Sequence, residues 1–275
     1  MFAKFLRIYE TILAAKMLVI VLIFIFLLGL ISVVRNLTIF EQQLIPEITL
    51  EEPSHIFPDF SIFTDIETKK RSFFDYTQGF IVAEINSILA LRSELVMIAD
   101  NAHQVAVLNP EYEKKLIALA SEYRVDYKSL SKKETLEELL LRVDFIPVSL
   151  VLAQAANESA WGVSRFAVEG NNIFGQWCYE KGCGIVPARR EAGAKHEVKI
   201  FDNVQNSIKA YFLNINTHDS YSYLRDLRAK MRDRSLKLDP MSLAIGLGRY
   251  SERGDSYVDE IQRIIIQNDL RKRDT

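Results

Sequence analysis

The stretch that decides the fold runs from Pro147 to Gly162 and reads Pro-Val-Ser-Leu-Val-Leu-Ala-Gln-Ala-Ala-Asn-Glu-Ser-Ala-Trp-Gly. Its proline suits the first turn of a helix. Val151, Ala155 and Glu158 recur at helical spacing, so they share one face of that helix. The stretch therefore predicts a helix over 147–160 whose apolar face ends at a carboxylate.

The carboxyl group of Glu158 is a candidate general acid. A carboxylate at the end of an apolar face leaves water, and desolvation favours its neutral form. Trp161 follows directly, and Gly162 is predicted to stop the helix. A carboxylic acid against an aromatic wall is what a general acid needs at neutral pH. The alternative is a salt-bridged or solvent-facing glutamate near a helix end.

A cluster of aromatic and amide side chains follows this helix. It reads Asn171-Asn-Ile-Phe-Gly-Gln-Trp177. Sugars are bound by aromatic faces and by amides, which both donate and accept hydrogen bonds. The cluster therefore indicates carbohydrate binding, and the alternative is a turn with core aromatics.

Two motifs in this order resemble the glucosaminidase family (glycoside hydrolase family 73) of the lysozyme-like superfamily. Glu158-Ser-Ala-Trp-Gly162 resembles the Glu-Ser-x-Trp-Gly motif of the superfamily, and Asn172-Ile-Phe-Gly175 resembles the Asn-Leu-Phe-Gly motif of the family. The segment Gln176-Trp-Cys-Tyr-Glu-Lys-Gly-Cys183 is similar to a membrane-anchored member of that family. The similarity covers about 145 to 270 and, more loosely, the helical region before it.

The resemblance implies a β-N-acetylglucosaminidase that hydrolyses the GlcNAc–MurNAc linkage of peptidoglycan, with Glu158 as the general acid. A second carboxylate of the family usually lies in the β lobe, where Glu191 is the best positional match and Glu197 is the rival. The family's Thr-x-Glu pattern is replaced here by Arg189-Arg190-Glu191.

The resemblance also implies residues that line the cleft. Tyr250, in Arg249-Tyr250-Ser251, matches a Tyr-Ala pair of the family with Ser in place of Ala, and Tyr257 is its rival. Phe174 and Trp177 are expected to wall the cleft, while amides bind acetamido or hydroxyl groups. The predicted substrate-binding residues are Asn171, Asn172, Phe174, Gln176 and Trp177.

Several mechanisms remain open from the sequence. If Glu191 activates a water on the face opposite Glu158, the configuration inverts. If it is too distant, the 2-acetamido oxygen of the substrate attacks, assisted by Tyr250. A lytic transglycosylase would share Glu158 but leave an anhydro sugar, and a non-catalytic wall-binding or scaffold protein would keep only the fold.

The N-terminal segment predicts a membrane anchor. Residues 17–34 are apolar and uncharged, and about 18 such residues cross a bilayer core as a helix. Bulky residues follow where a signal peptidase would cut, which favours an uncleaved anchor over a signal peptide. Basic residues precede the span, and after Arg35 none occurs until Lys69. This asymmetry predicts a single pass through the inner membrane, a cytoplasmic N-terminus and a periplasmic catalytic domain.

The pattern along the chain predicts a mainly α fold, α+β and lysozyme-like as the resemblance implies, with a small β-hairpin lobe over about 171–202. Helical intervals of apolar residues begin after a proline-containing linker. The helical region before the catalytic domain either extends the core or binds a partner. The predicted segments are a cytoplasmic tail (1–16), the anchor (17–34), the linker (35–68), the helical region (69–142) and the catalytic domain (143–275).

The composition limits the classes of partner and cofactor that the chain is expected to bind. The chain has 275 residues and a net charge of -2, so no long-range field attracts nucleic acid. Cys178 and Cys183 predict a disulfide if the domain lies outside the cytosol, and free thiols otherwise. Zinc would need further ligands, and only His196 is near in sequence, so no metal is expected. We expect no cofactor, and peptidoglycan strands and the inner membrane as partners; the sequence specifies no protein partner.

Overall fold

The computed structural model describes residues 57–104, 109–188, 190 and 193–274. The predicted anchor over 17–34 lies outside the described residues, as does Glu191. Among the residues that are described, no helix has both the length and the apolar character needed to cross a bilayer.

Helices dominate the described chain, which confirms the predicted mainly α fold. Short 3₁₀ helices lie at Phe60–Ile62, Asp219–Tyr221, Ile245–Leu247 and Leu270–Arg273. The α-helices are α1 (Ile66–Gln104), α2 (Pro110–Glu122), α3 (Lys132–Arg142), α4 (Val148–Ser159), α5 (Arg165–Gly170), α6 (Val204–Thr217), α7 (Ser222–Asp233), α8 (Pro240–Ala244) and α9 (Asp255–Gln267).

Helix α4 is the predicted central helix, and it is buried on all sides rather than on one face. Its residues from Val148 to Ala156 are all buried, which is typical of a helix that is apolar all round. It packs against α1, α8, α9 and the 3₁₀ helix at Leu270–Arg273. This burial positions Glu158 at the edge of the core, in the last turn of the helix.

The helix stop differs from the prediction. Helix α4 ends at Ser159, and Ala160 takes the left-handed conformation with φ 50°. Trp161 and Gly162 also have positive φ, 61° and 79°. The amide of Gly162 donates to Ser159 Oγ at 2.8 Å, and a Cβ at position 162 would lie 2.5 Å from the ring of Phe60. Gly162 therefore completes the turn after the helix has ended.

The long helix α1 shares the core of the C-terminal region. Phe73, Ile81 and Leu95 on α1 are fully buried in the same hydrophobic cluster as Leu150 of α4. Phe60, inside the stretch predicted as linker, is 2% exposed and packs edge-on to Phe73 with ring centroids 5.4 Å apart. The helices before the predicted catalytic domain thus supply part of its apolar core.

The structure has a small three-stranded antiparallel sheet where the sequence predicted a hairpin. Its strands β1 (Trp177–Cys178), β2 (Gly184–Ile185) and β3 (Glu197–Lys199) lie in the order β1-β3-β2. The disulfide between Cys178 and Cys183 is confirmed, with the two Cα atoms 6.2 Å apart. The bridge therefore closes the loop between β1 and β2.

Candidate active site

Glu158 is partly buried in the last turn of α4. The amide nitrogen of its neighbour Asn157 donates to Glu158 Oε1 at 3.2 Å. Burial raises the pKa of the Glu158 carboxyl above its ordinary value, although the Tyr257 hydroxyl, the hydrogen bond from Asn157 and the charge of Arg253 oppose this effect. The group therefore keeps its proton to a higher pH than a free glutamate does.

Four tyrosines lie around Glu158 and form its aromatic wall. Burial raises the pKa of each, and the charge of Glu158 raises it further. The ring of Tyr250 stacks on that of Tyr257 with centroids 5.4 Å apart and planes 9° apart. The ring centroid of Tyr250 lies 6.0 Å from that of Tyr221. The fourth is Tyr211, on α6.

The sequence predicted Trp161 as the aromatic wall beside Glu158, but the four tyrosines form that wall instead. Trp161 packs edge-on against α1, with its ring centroid 5.2 Å from that of Phe74, and the ammonium of Lys70 lies 5.4 Å from the indole ring. The left-handed backbone at Ala160 and Trp161 follows the helix end, and the described ring contacts of Trp161 are with α1. Its side chain therefore anchors that helix.

A buried chain of hydrogen bonds leads to Glu158. The hydroxyl of Tyr211 donates to Gln154 Oε1 at 2.5 Å. Gln154 Nε2 donates to the hydroxyl oxygen of Tyr257 at 2.9 Å, and the Tyr257 hydroxyl lies near enough to Glu158 to lower the pKa of that carboxyl. Sequence reasoning missed Gln154 and Tyr211. The available signal was a glutamine inside an apolar helix, because a buried amide requires partners.

The two candidate tyrosines take different places. The hydroxyl of Tyr257, the alternative candidate, lowers the pKa of Glu158. Tyr250, the predicted residue, donates its hydroxyl to the carbonyl oxygen of Phe174 at 3.0 Å. Tyr250 therefore joins the aromatic cluster to the wall, and a catalytic role for it stays a prediction.

Asn172 organises the turn that carries the aromatic cluster. It is 1% exposed, and its Nδ2 donates to the carbonyl oxygens of Gln176 and Lys199 at 2.9 and 2.8 Å. Its Oδ1 accepts from the amides of Phe174 and Gln176 at 3.3 and 3.1 Å. These bonds fix the turn to strand β3, so the described hydrogen bonds of the Asn172 side-chain amide are with backbone groups.

The neighbouring predicted residues also have internal partners. Asn171 ends α5 with φ 51° and donates to the carbonyl oxygen of Phe201 at 2.9 Å. Gln176 Nε2 donates to the carbonyl oxygen of Ser207 at 2.9 Å. Phe174 is 2% exposed and stacks on Tyr211 with ring centroids 4.0 Å apart. Their predicted contacts with substrate stay untested.

Trp177 is the member of the cluster that faces solvent. It is 55% exposed, and its indole stacks on the imidazole of His196, with centroids 4.0 Å and planes 12° apart. An exposed aromatic plane held by a second ring suits contact with the apolar face of a sugar.

The second carboxylate has one described candidate. Glu197, on the central strand β3, is 6% exposed and accepts from the amide of Gly182 at 3.1 Å and that of Gly184 at 2.9 Å. These backbone amides lower the pKa of Glu197. Its carboxylate therefore stabilises the disulfide loop, and Glu191, the other candidate, lies outside the described residues.

Within the residues that the structure describes, no cluster of His, Cys, Asp and Glu side chains could hold a metal ion. The chemistry that the described site can perform is proton donation from Glu158 beside a wall of phenols and an exposed aromatic plane.

Comparisons with known proteins match this region. A family model described as Glucosaminidase, "Mannosyl-glycoprotein endo-beta-N-acetylglucosaminidase", matches residues 133–270. The chain is 30% identical over 200 residues to Protein bax of Escherichia coli (strain K12). The aligned region covers 73% of this chain and 70% of that protein. No solved structure shows a significant match.

Proposed function

The chain belongs to the glucosaminidase family, and on that premise we propose that it hydrolyses β-1,4 glycosidic bonds in peptidoglycan strands with Glu158 as the general acid. The family resemblance predicted from the two motifs is thereby confirmed. The lysozyme-like character of the fold, the linkage cleaved and the role of each residue belong to the proposal.

The observation that carries the proposal is the environment of Glu158. Burial raises the pKa of this carboxyl. The groups that wall it are phenols, and the charge of one nearby cation, Arg253, does not outweigh burial. A general acid works best when its pKa lies near the working pH. Glu158 is therefore suited to protonate a leaving glycosidic oxygen.

The proposed reaction begins when Glu158 gives its proton to the oxygen between two sugars as that bond breaks. The transition state has oxocarbenium character, and negative charge nearby stabilises it. Water then adds at the anomeric carbon. Either Glu191 activates that water on the opposite face, or the 2-acetamido oxygen of the substrate attacks first and water opens the resulting ring.

The proposed bond is the GlcNAc–MurNAc linkage, and product analysis tests it. Mass spectrometry of fragments released from purified cell wall should show a reducing GlcNAc end. An anhydro-muramyl end would indicate a lytic transglycosylase instead. Binding of the wild-type protein to wall without release of any fragment would contradict the enzyme assignment and support a scaffold.

Glu158→Gln tests the acid directly. The amide cannot donate the proton that departure of the sugar requires, so release of fragments should fall by about 100-fold or more. The matched control is Glu169→Gln, which makes the same change at an exposed position of α5 and should keep wild-type turnover. Near-wild-type turnover in Glu158→Gln would remove Glu158 as the acid.

For location, we propose a single-pass anchor at residues 17–34 in the inner membrane, with the catalytic domain in the periplasm. The charge asymmetry around the span supports this orientation. The Cys178–Cys183 disulfide supports an oxidising compartment. Protease added to spheroplasts should degrade the domain, whereas inside-out vesicles should protect it, and the reverse pattern would contradict the orientation.

A further inference from the structure

The buried hydrogen-bond chain beside Glu158 links three helices. Tyr211 on α6 is 1% exposed, and Gln154 on α4 and Tyr257 on α9 are fully buried. Their polar atoms meet at 2.5 Å and 2.9 Å. Because buried polar groups without partners are costly, this arrangement holds each side chain in one orientation.

The direction of each hydrogen follows from the chemistry of an amide. An amide oxygen only accepts, and an amide nitrogen only donates. Tyr211 gives its single hydrogen to Gln154 Oε1, and Gln154 Nε2 gives one of its hydrogens to the oxygen of Tyr257. The hydrogen of the Tyr257 hydroxyl is then left for another acceptor, and the carboxyl group of Glu158 is near enough to interact with this hydroxyl.

We propose that Gln154 is a positioning residue that orients the Tyr257 hydroxyl so that it donates to Glu158. The inference rests on the proposed function, in which Glu158 is the acid. A carboxyl oxygen that accepts a hydrogen bond is the poorer place for the acid's own proton. A hydrogen bond from Tyr257 therefore favours the ionised form and limits how far burial raises the pKa of Glu158.

Other groups also face Glu158 and set the background for a test. Asn157 donates to it from the same helix. The charge of Arg253 lowers its pKa and that of Glu260 raises it, and these two form an ion pair with each other. Tyr221 and Tyr250 complete the wall. None of these groups is altered by the substitutions below.

The test is a titration of Glu158 by ¹³C NMR in the full-length protein labelled at glutamate carboxyls. The signal of Glu158 is identified by its loss in Glu158→Gln. Tyr257→Phe removes a donor to the ionised form, so the titration midpoint of Glu158 should rise by about one pH unit. The matched control is Tyr123→Phe, another buried tyrosine, which should leave the midpoint unchanged.

Gln154→Met tests the positioning role itself. Met fills a similar volume but gives Tyr257 no hydrogen bond, so its hydroxyl is free to turn away and the midpoint of Glu158 should rise by part of the Tyr257→Phe shift. Tyr211→Phe, which removes only the hydroxyl that holds Gln154, should shift it in the same direction and serves if Gln154→Met does not fold. In the active protein, the alkaline limb of the pH–rate profile should move upward with the midpoint.

An unchanged midpoint in Tyr257→Phe would overturn the inference. A shift in Tyr257→Phe with none in Gln154→Met or Tyr211→Phe would overturn the role of Gln154, because its amide would then be structural only. The titration needs no turnover, so these outcomes are independent of the wall-digestion assay that tests the proposed function.

Discussion

Two carboxylates, the buried Asp144 and the partly buried Glu158, lie at opposite ends of helix α4, and the charged groups around them differ. Asp144 precedes the helix, is 2% exposed and is surrounded by arginines: Arg232 donates to both of its oxygens at 2.8 and 3.0 Å, and Arg92 and Arg228 lie at 3.7 and 3.9 Å. Glu158, in the last turn, is surrounded by tyrosines.

The pKa values of the Asp144 and Glu158 carboxyls are shifted in opposite directions. Burial raises the pKa of both carboxyls, but at Asp144 hydrogen bonds from Arg232 and the charges of Arg228 and Arg92 outweigh it, and the net pKa is lowered. Burial therefore does not by itself make a proton donor. The absence of a compensating cluster of cations among the described neighbours distinguishes the candidate acid from the structural carboxylate.

Asp144→Asn should produce the largest loss of stability. Removing one member of a buried ion cluster leaves the others without compensation and costs about 3–5 kcal/mol. Urea unfolding at neutral pH measures this loss, and Asp226→Asn, at an exposed position of α7, should change stability little. A loss as small as that of the control would show that the arginines do not depend on Asp144.

The pH dependence of that loss has a fixed sign. Because the folded-state pKa of Asp144 is lowered, its contribution to stability is present above the unfolded pKa and disappears as pH falls through the folded value. The difference between wild type and Asp144→Asn should therefore shrink in acid, and a difference that is constant down to the folded pKa would contradict the charge argument.

Opening the Cys178–Cys183 ring should have an intermediate effect. A ring this short contributes about 2 kcal/mol in the chain-entropy view, and the double change to Ser should cost about that much. The same loop supplies the amides of Gly182 and Gly184 to Glu197, so hydrogen exchange at those amides should accelerate. Exchange at these amides should also accelerate in wild-type protein whose disulfide has been reduced. Unchanged exchange would show that Glu197 holds the loop in place without the disulfide.

Glu158→Gln should have the smallest effect on stability, and in the opposite direction to Asp144→Asn. The raised folded pKa of Glu158 means that its contribution is fully present below the unfolded pKa and is lost as pH rises through the folded value. At neutral pH the variant should be about as stable as wild type or more stable, by thermal unfolding. A clear destabilisation there would show that ionised Glu158 is needed for folding.

The sequence predicted the parts of this comparison that depend on local pattern. The helix carrying Glu158 followed from apolar spacing and Pro147, and the disulfide followed from two nearby cysteines and the expected compartment. The three-stranded sheet was not predicted, since its strands are two or three residues long and no alternation is visible over such lengths.

The rest depends on contacts between residues far apart in the chain. Gln154 meets Tyr257 across 103 positions and Tyr211 across 57, so no local pattern indicates the chain of hydrogen bonds. Asp144 likewise meets Arg232 across 88 positions. For Asn172, amide chemistry predicted hydrogen bonds to substrate, and only the tertiary structure shows that its side chain bonds to backbone groups.

One titration of the wild-type protein, with ¹³C labels at both aspartate and glutamate carboxyls, tests the central claim most directly. The account predicts that Glu158 loses its proton above the ordinary range for glutamate, while Asp144 loses its proton below the ordinary range for aspartate. Midpoints in the ordinary range for both groups, or in the reverse order, would contradict it.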